Sequence, residues 1–162
     1  MSNMDRIDEQ ERDDPCDRLA ELLEEIVDRM GLDAEVNVSE SDGVLVGELV
    51  GEDVGLFIGR RGQTIDAVQH LAQRIVFPGG PSQTRVVVDA DGYRERRAQL
   101  LREDADDAAD DVLRTNSAVE LEPMPASERR IVHEHLRERG DVSTHSEGDE
   151  PERFLVVSPL DS

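Results

Sequence analysis

The sequence predicts an α+β protein built as two successive small units, each a three-stranded sheet with helices packed on it. Three observations carry this. The apolar spacing switches between helical period and alternation, giving helix, strand, strand, helix, corner, helix, strand over residues 15–91, then helix, strand, helix, strand, strand over 92–162. Asp91-Gly92 punctuates the junction between the two sets. Inside the first set, Gly59-Arg60-Arg61-Gly62 forms a tight corner, since glycines three apart let the backbone turn with almost no side-chain bulk.

The elements follow from local signals. Residues 1–14 are acidic and without periodicity, which predicts an unstructured tail. Asp14-Pro15 then suits a helix start, with Asp as N-cap and Pro in the first turn. Leu19, Leu22, Leu23, Ile26, Val27 and Met30 share one face of that helix, and Gly31 stands where a C-terminal glycine cap belongs. Strands at residues 35–39 and 44–50 are joined by Asp42-Gly43, a hairpin signal. A short helix over 53–58 leads into the corner, and a longer one follows to about Phe77, with Ile65, Val68, Ala72, Ile75 and Val76 facing inward. Pro78-Gly79-Gly80-Pro81 breaks it, and 85–89 reads as a buried strand.

In the second set, a helix over 93–115 carries Leu100, Leu101, Ala105, Ala108, Ala109, Val112 and Leu113 as its apolar stripe. Its first turns are basic (Arg94, Arg96, Arg97, Arg102), a candidate supplementary phosphate surface, and its second half is acidic. A strand at 118–122 and a helix over 127–139 follow, the helix with Ile131, Val132 and Leu136 inward. A hairpin of 141–146 and 153–158 closes the chain, with Phe154 and Val156 as core candidates.

Composition narrows the function. The 162 residues are 36% hydrophobic, with three Phe, one Tyr and no Trp, so the core is aliphatic. The formal net charge is -21, and all 18 basic residues are Arg. Such a charge repels nucleic acid over long range, yet guanidinium forks favour phosphate wherever arginines gather. A single cysteine, Cys16, excludes an intramolecular disulfide and a cysteine metal cluster. The four histidines show no zinc-ligand spacing and no HExxH signature, so neither metal nor cofactor is expected. No apolar run is long enough to span a bilayer, and the N-terminus lacks a signal-peptide pattern, so a cytoplasmic protein without membrane insertion is expected.

Two constellations offer cationic groups to a phosphate, the second of them by itself equally an ordinary solvated helix face. The corner opens directly onto a helix, whose leading amides and positive dipole end attract anions, and Arg60 and Arg61 add two charges at that point. Further on, Arg129, His133 and Arg137 recur at i, i+4 and i+8, which predicts one outward-leaning helix face. There a guanidinium fork and an imidazole can reach adjacent phosphates or sugar hydroxyls.

Ile-Gly-Arg-Arg-Gly followed by Gln-Thr-Ile resembles the GXXG loop of KH domains, which clamp about four nucleotides of single-stranded nucleic acid. The element order over 15–91 is similar to the bacterial, type II, KH fold. Arg129 and His133, within Glu-Arg-Arg-Ile-Val-His, match the RxxxH pair of the R-three-H domain, and the elements over 92–160 resemble that fold. The tandem, with Gly-Tyr-Arg-Glu-Arg-Arg at the junction and Leu-Glu-Pro-Met before the RxxxH helix, is similar to the bacterial Jag/KhpB family of RNA-binding proteins. Some members carry an N-terminal Jag domain, which the short segment before the first helix leads us not to expect here. The resemblance implies a protein that binds single-stranded RNA in post-transcriptional regulation, with a small KH-only protein, KhpA, as candidate partner. It implies contacts by Ile58, Gly59, Arg60, Arg61, Gly62, Gln63 and Ile65 in the first unit, and by Arg129, Arg130 and His133 in the second.

No P-loop, nucleophile elbow or Cys–His signature is present, so a binder is expected rather than an enzyme. Abundant carboxylates leave an acidic metal-dependent nuclease open, and the acidic surface leaves open a protein-interaction module that keeps the KH fold as scaffold.

Overall fold

The computed structural model describes residues 14–80 and 82–160, so the expected tail over 1–14 lies outside the described residues except for Asp14. The chain divides into two compact units after Tyr93.

The first unit comprises α1 (Pro15–Met30), β1 (Ala34–Ser41), β2 (Val44–Gly51), α2 (Val54–Ile58), a single 3-10 turn at Arg60–Gly62, α3 (Gln63–Val76) and β3 (Arg85–Ala90). Asp14 caps α1 by accepting a 2.8 Å bond from the Cys16 amide, and Gly31 ends the helix in the left-handed region. The sheet order is β1-β2-β3, with β1 antiparallel and β3 parallel to β2. A parallel neighbour needs a crossover, and α2, the corner and α3 are that crossover. The helices press Leu19, Leu23, Phe57 and Ile65 onto Leu45, Leu49, Val86 and Val88, a core that is aliphatic apart from Phe57 and sealed from water.

The outer edge of β3 is covered by amides from α3. Gln73 Oε1 accepts from the Val86 amide at 2.7 Å while Gln73 Nε2 donates to the Thr84 carbonyl at 3.2 Å, and Gln69 Oε1 accepts from the Val88 amide at 2.9 Å. Two glutamines one helical turn apart thus occupy strand groups that would otherwise lie open at an edge.

The second unit comprises α4 (Tyr93–Thr115, all but its first residue), β4 (Val119–Glu120), α5 (Ala126–Arg139), β5 (Val142–Glu147) and β6 (Phe154–Pro159). Its sheet is antiparallel, in the order β4-β6-β5. The expected strand at 118–122 shrinks to two residues. The hairpin strands lie one residue later than expected, with Thr144 opposite Val157. Leu101, Ala105, Ala109 and Val112 of α4 pack with Val132 and Leu136 of α5 against Leu155 and Val157.

Several expected core positions are corrected. Leu100 and Leu113 of α4 and Ile75 of α3 are about half exposed, because each falls well off the centre of its helix's buried stripe. In β6, Leu155, Val156 and Val157 are all buried, whereas Phe154 is only half-buried, so burial does not simply alternate there.

Polar contacts tie the second unit together. Arg139 at the end of α5 reaches Asp110, Asp141 and Asp106, with Arg139 Nε 2.9 Å from Asp141 Oδ2 and Arg139 Nη1 3.1 Å from Asp106 Oδ1. These bonds raise the pKa of its guanidinium. Arg97 of α4 forks Glu128 of α5 at 2.8 and 2.9 Å, and Arg102 pairs with Glu95. The basic half of α4 is thereby partly committed to holding its own unit together.

Candidate nucleic-acid interface

The corner of the first unit is built by backbone. Gly59 has φ 72°, ψ -179° and Gly62 φ 78°, ψ 12°, and between them Arg61 also enters the left-handed region at φ 52°. A Cβ on Gly59 would stand 2.2 Å from Thr64 Oγ1 and 2.9 Å from its amide nitrogen, so the two arms of the turn close on a position only glycine fits. The Gly59 amide donates to the Gly55 carbonyl, and the Gly62 amide to that of Gly59.

Arg60 and Arg61 are both exposed, as is Gln63. Arg60 makes no ion pair among the described residues. α3 begins without a side-chain cap, so its first turn presents amides and a positive dipole end beside the two guanidinium groups. Ile58 is half-buried next to the turn. The expectation that Ile65 faces bases is not met. It is 0% exposed and belongs to the core, because the helical turn after the corner points it at the sheet.

Along α3 the structure adds an open pocket of about 590 Å³ lined by His70, Gln73, Arg74, Phe77, Thr84 and Arg85 among others. It gathers three basic side chains and an aromatic ring. Sequence reasoning missed it, since Arg85 comes from a strand that only the fold brings against α3.

In the second unit the RxxxH pair divides. His133 is exposed, with Nδ1 2.5 Å from Thr144 Oγ1 on β5. Arg129 is only 9% exposed and its fork is engaged: Nη1 donates to the Met124 carbonyl at 2.7 Å and Nη2 to Glu150 Oε1 at 2.5 Å. Arg129, His133 and Arg137 therefore do not form the outward face expected, because α5 turns Arg129 onto the β5–β6 loop. The bond from Arg129 holds the Glu150 carboxyl below its ordinary value. Arg130 is exposed and pairs with Glu134 at 2.8 Å.

These side chains border an open pocket of about 380 Å³, completed by Ala126, Thr144, His145, Ser146, Arg153 and Leu155. His145 and Arg153 are the contributors that sequence reasoning missed. His145 pairs with Glu147 at 2.7 Å, and Arg153 Nη1 donates to the Gly148 carbonyl at 2.7 Å. Among the described residues, no three His, Cys, Asp or Glu side chains are grouped to hold a metal ion, and no helix is long and apolar enough to cross a membrane.

Comparison with known proteins matches the two units to two family profiles. A profile described as "KhpA/KhpB, KH domain" matches residues 17–89, and one for the R-three-H domain matches 99–159. The chain is 38% identical over 144 residues to "RNA-binding protein KhpB" of Clostridium symbiosum, covering 88% of this chain and 65% of that protein. It is 38% identical over 140 residues to the protein of the same name from Lactiplantibacillus plantarum, covering 86% and 44%. With that of Bacillus subtilis it shares 36% over 152 residues, covering 91% and 72%. The chain thus spans from under half to nearly three quarters of the length of these relatives. With a KH unit, an R-three-H unit and such relatives aligned across both, it belongs to the KhpB family.

Proposed function

We propose that this chain binds single-stranded RNA through the glycine corner of its first unit and the RxxxH pocket of its second, as a factor in post-transcriptional regulation in the cytoplasm. The observation that carries this reading is the pair of exposed arginines on a glycine-bounded turn that opens onto an uncapped helix. The names of its relatives support it.

The RNA backbone runs past Arg60, Arg61 and Gly62, where main-chain amides and guanidinium groups meet phosphates. Gln63 offers a side-chain amide there, Ile58 an apolar surface, and buried Ile65 supports the turn from beneath. His70, Arg74, Arg85 and Phe77 continue a cationic and aromatic surface along α3, suited to a base and its phosphate. In the second unit, His133 and Arg130 flank a pocket wide enough for a phosphate and its sugar. Two modest sites on one chain reinforce each other through effective concentration. The acidic surface repels RNA over long range, so affinity rests on these local contacts. A small KH protein of the KhpA kind is the candidate partner, in line with the profile matched by the first unit.

Filter retention of labelled single-stranded RNA tests the reading. Arg60→Asp with Arg61→Asp should abolish retention while the melting temperature holds; unchanged retention by the folded variant rejects the corner as a contact. RNA incubated with the protein and Mg²⁺ should remain full length, and shortening would replace binding with nuclease activity.

A further inference from the structure

We propose that Arg153, just before β6, is the side chain that meets an RNA phosphate in the second unit's pocket, and that Arg129 is a positioning residue for that contact. The assignment rests on the RNA-binding reading above.

The argument is a comparison of charges around one pocket. Five basic side chains border it, and three already face carboxylates: Arg129 faces Glu150, Arg130 faces Glu134, and His145 faces Glu147. Arg153 differs. Its Nη1 bonds a neutral carbonyl, that of Gly148, and it makes no ion pair among the described residues. One edge of its fork is thus oriented by the loop while no carboxylate bonds it, although Glu150 of the same loop, already bonded by Arg129, lies near enough to feel its charge. That combination suits a forked contact with phosphate, which needs an oriented guanidinium rather than a neutralised one. His133, held by Thr144, stands on the same pocket and can donate to the same phosphate or its sugar.

Arg129 acts on the other side of this arrangement. Its guanidinium joins the Met124 carbonyl, just ahead of α5, to Glu150 in the β5–β6 loop. That loop also carries Gly148, whose carbonyl orients Arg153. Arg129 therefore fixes the loop, and the loop aims Arg153. A buried fork already bonded to a carbonyl and a carboxylate has little left to offer a ligand.

The test uses the full chain, labelled single-stranded RNA of mixed sequence, and dissociation constants across a salt series. Arg153→Ala should weaken binding about tenfold and lower the slope of log affinity against log salt by about 0.7, the share of one phosphate contact on a single strand. Its melting temperature should stay near that of the wild type. Arg153→Lys, which keeps a cation, should recover most of the slope. Arg129→Ala should lower the melting temperature and weaken binding, yet cause no further loss of affinity when added to Arg153→Ala. An Arg153→Ala variant with wild-type affinity and slope overturns the assignment. So does a separate loss from Arg129→Ala in the Arg153→Ala background. If the wild type itself retains no RNA, the RNA-binding reading fails, and this assignment falls with it for that distinguishable reason.

Discussion

Gly62 lies under the ring of Tyr93: a Cβ at Gly62 would stand 2.9 Å from Tyr93 Cε1 and 3.0 Å from its hydroxyl oxygen. The glycine is buried and has φ 78°. It is held both by its backbone conformation and by the ring over it. Gly62→Ala should therefore destabilise the first unit by about 2–3 kcal/mol, combining left-handed strain with displacement of the ring. Urea denaturation measures this. A double-mutant cycle with Tyr93→Leu should show a coupling of about 1 kcal/mol, since the smaller side chain gives the methyl group room. Full additivity would mean that the ring does not limit this position. A charged substitution at Gly62 would test packing as much as RNA contact, so the exposed arginines are the cleaner probes.

The β3 edge yields a second expectation. Gln73 serves the Val86 amide and the Thr84 carbonyl with the two ends of one side-chain amide. Gln73→Leu leaves a part-buried amide without its acceptor and should cost about 1–3 kcal/mol. Gln73→Glu keeps an acceptor for Val86 and should cost less. Light scattering should also show more self-association in Gln73→Leu with Gln69→Leu, because an uncovered strand edge pairs with other chains. Equal stability of Gln73→Leu and the wild type would mean that water replaces the glutamine at no cost.

Acid should loosen the second unit through its bonded carboxylates. The bond from Arg129 holds Glu150 below its ordinary value of 4.5. For Asp106, of ordinary value 3.8, burial pushes the carboxyl up, but the nearby His135 ring, 3.0 Å away, and the bond from Arg139 outweigh it and the net direction is down. A carboxyl depressed in the folded state contributes stability that is fully present above its unfolded value and is lost as pH falls through the folded one. Melting temperature should thus decline as pH drops below about 4.5 toward 3. Glu150→Gln should flatten part of that decline, whereas an identical pH profile would mean that Arg129 and Glu150 do not stay paired in solution.

The glycine corner was legible in the sequence because its requirement is local: positive φ at Gly59 and Gly62 is what two glycines three apart announce. The left-handed Arg61 carried no such announcement, since only the closure of the turn imposes it. Ile65 shows periodicity reading correctly, since its helical spacing put it in the core where it lies, whereas the contact role implied by the resemblance to KH domains does not fit its burial. Arg129 shows a different limit. Its spacing from His133 is a helical neighbour relation, but its burial is decided by Met124 and by Glu150, 21 residues away on a loop with no repeat or motif of its own. Arg153 and His145 join the pocket by the same long-range route, through a hairpin whose register appears only in the folded chain.

The fork between Arg97 and Glu128 turns a basic helix start into an internal strut, and its loss should be asymmetric. Glu128 is 8% exposed and lies beside Arg129 in the first turn of α5, so both its oxygens depend on Arg97. Arg97→Ala removes the partner and leaves a largely buried carboxylate, at an expected cost of about 3 kcal/mol. Arg97→Leu with Glu128→Leu removes both charges and fills some of the space, so it should be more stable than Arg97→Ala. Because Glu128 adjoins Arg129, the single variant should also weaken RNA binding beyond the loss of one positive charge, while the double variant should recover part of it. Thermal denaturation and filter binding on the same samples separate the two effects. If Arg97→Ala keeps full stability but loses RNA, Arg97 contacts RNA directly and the strut is not its role.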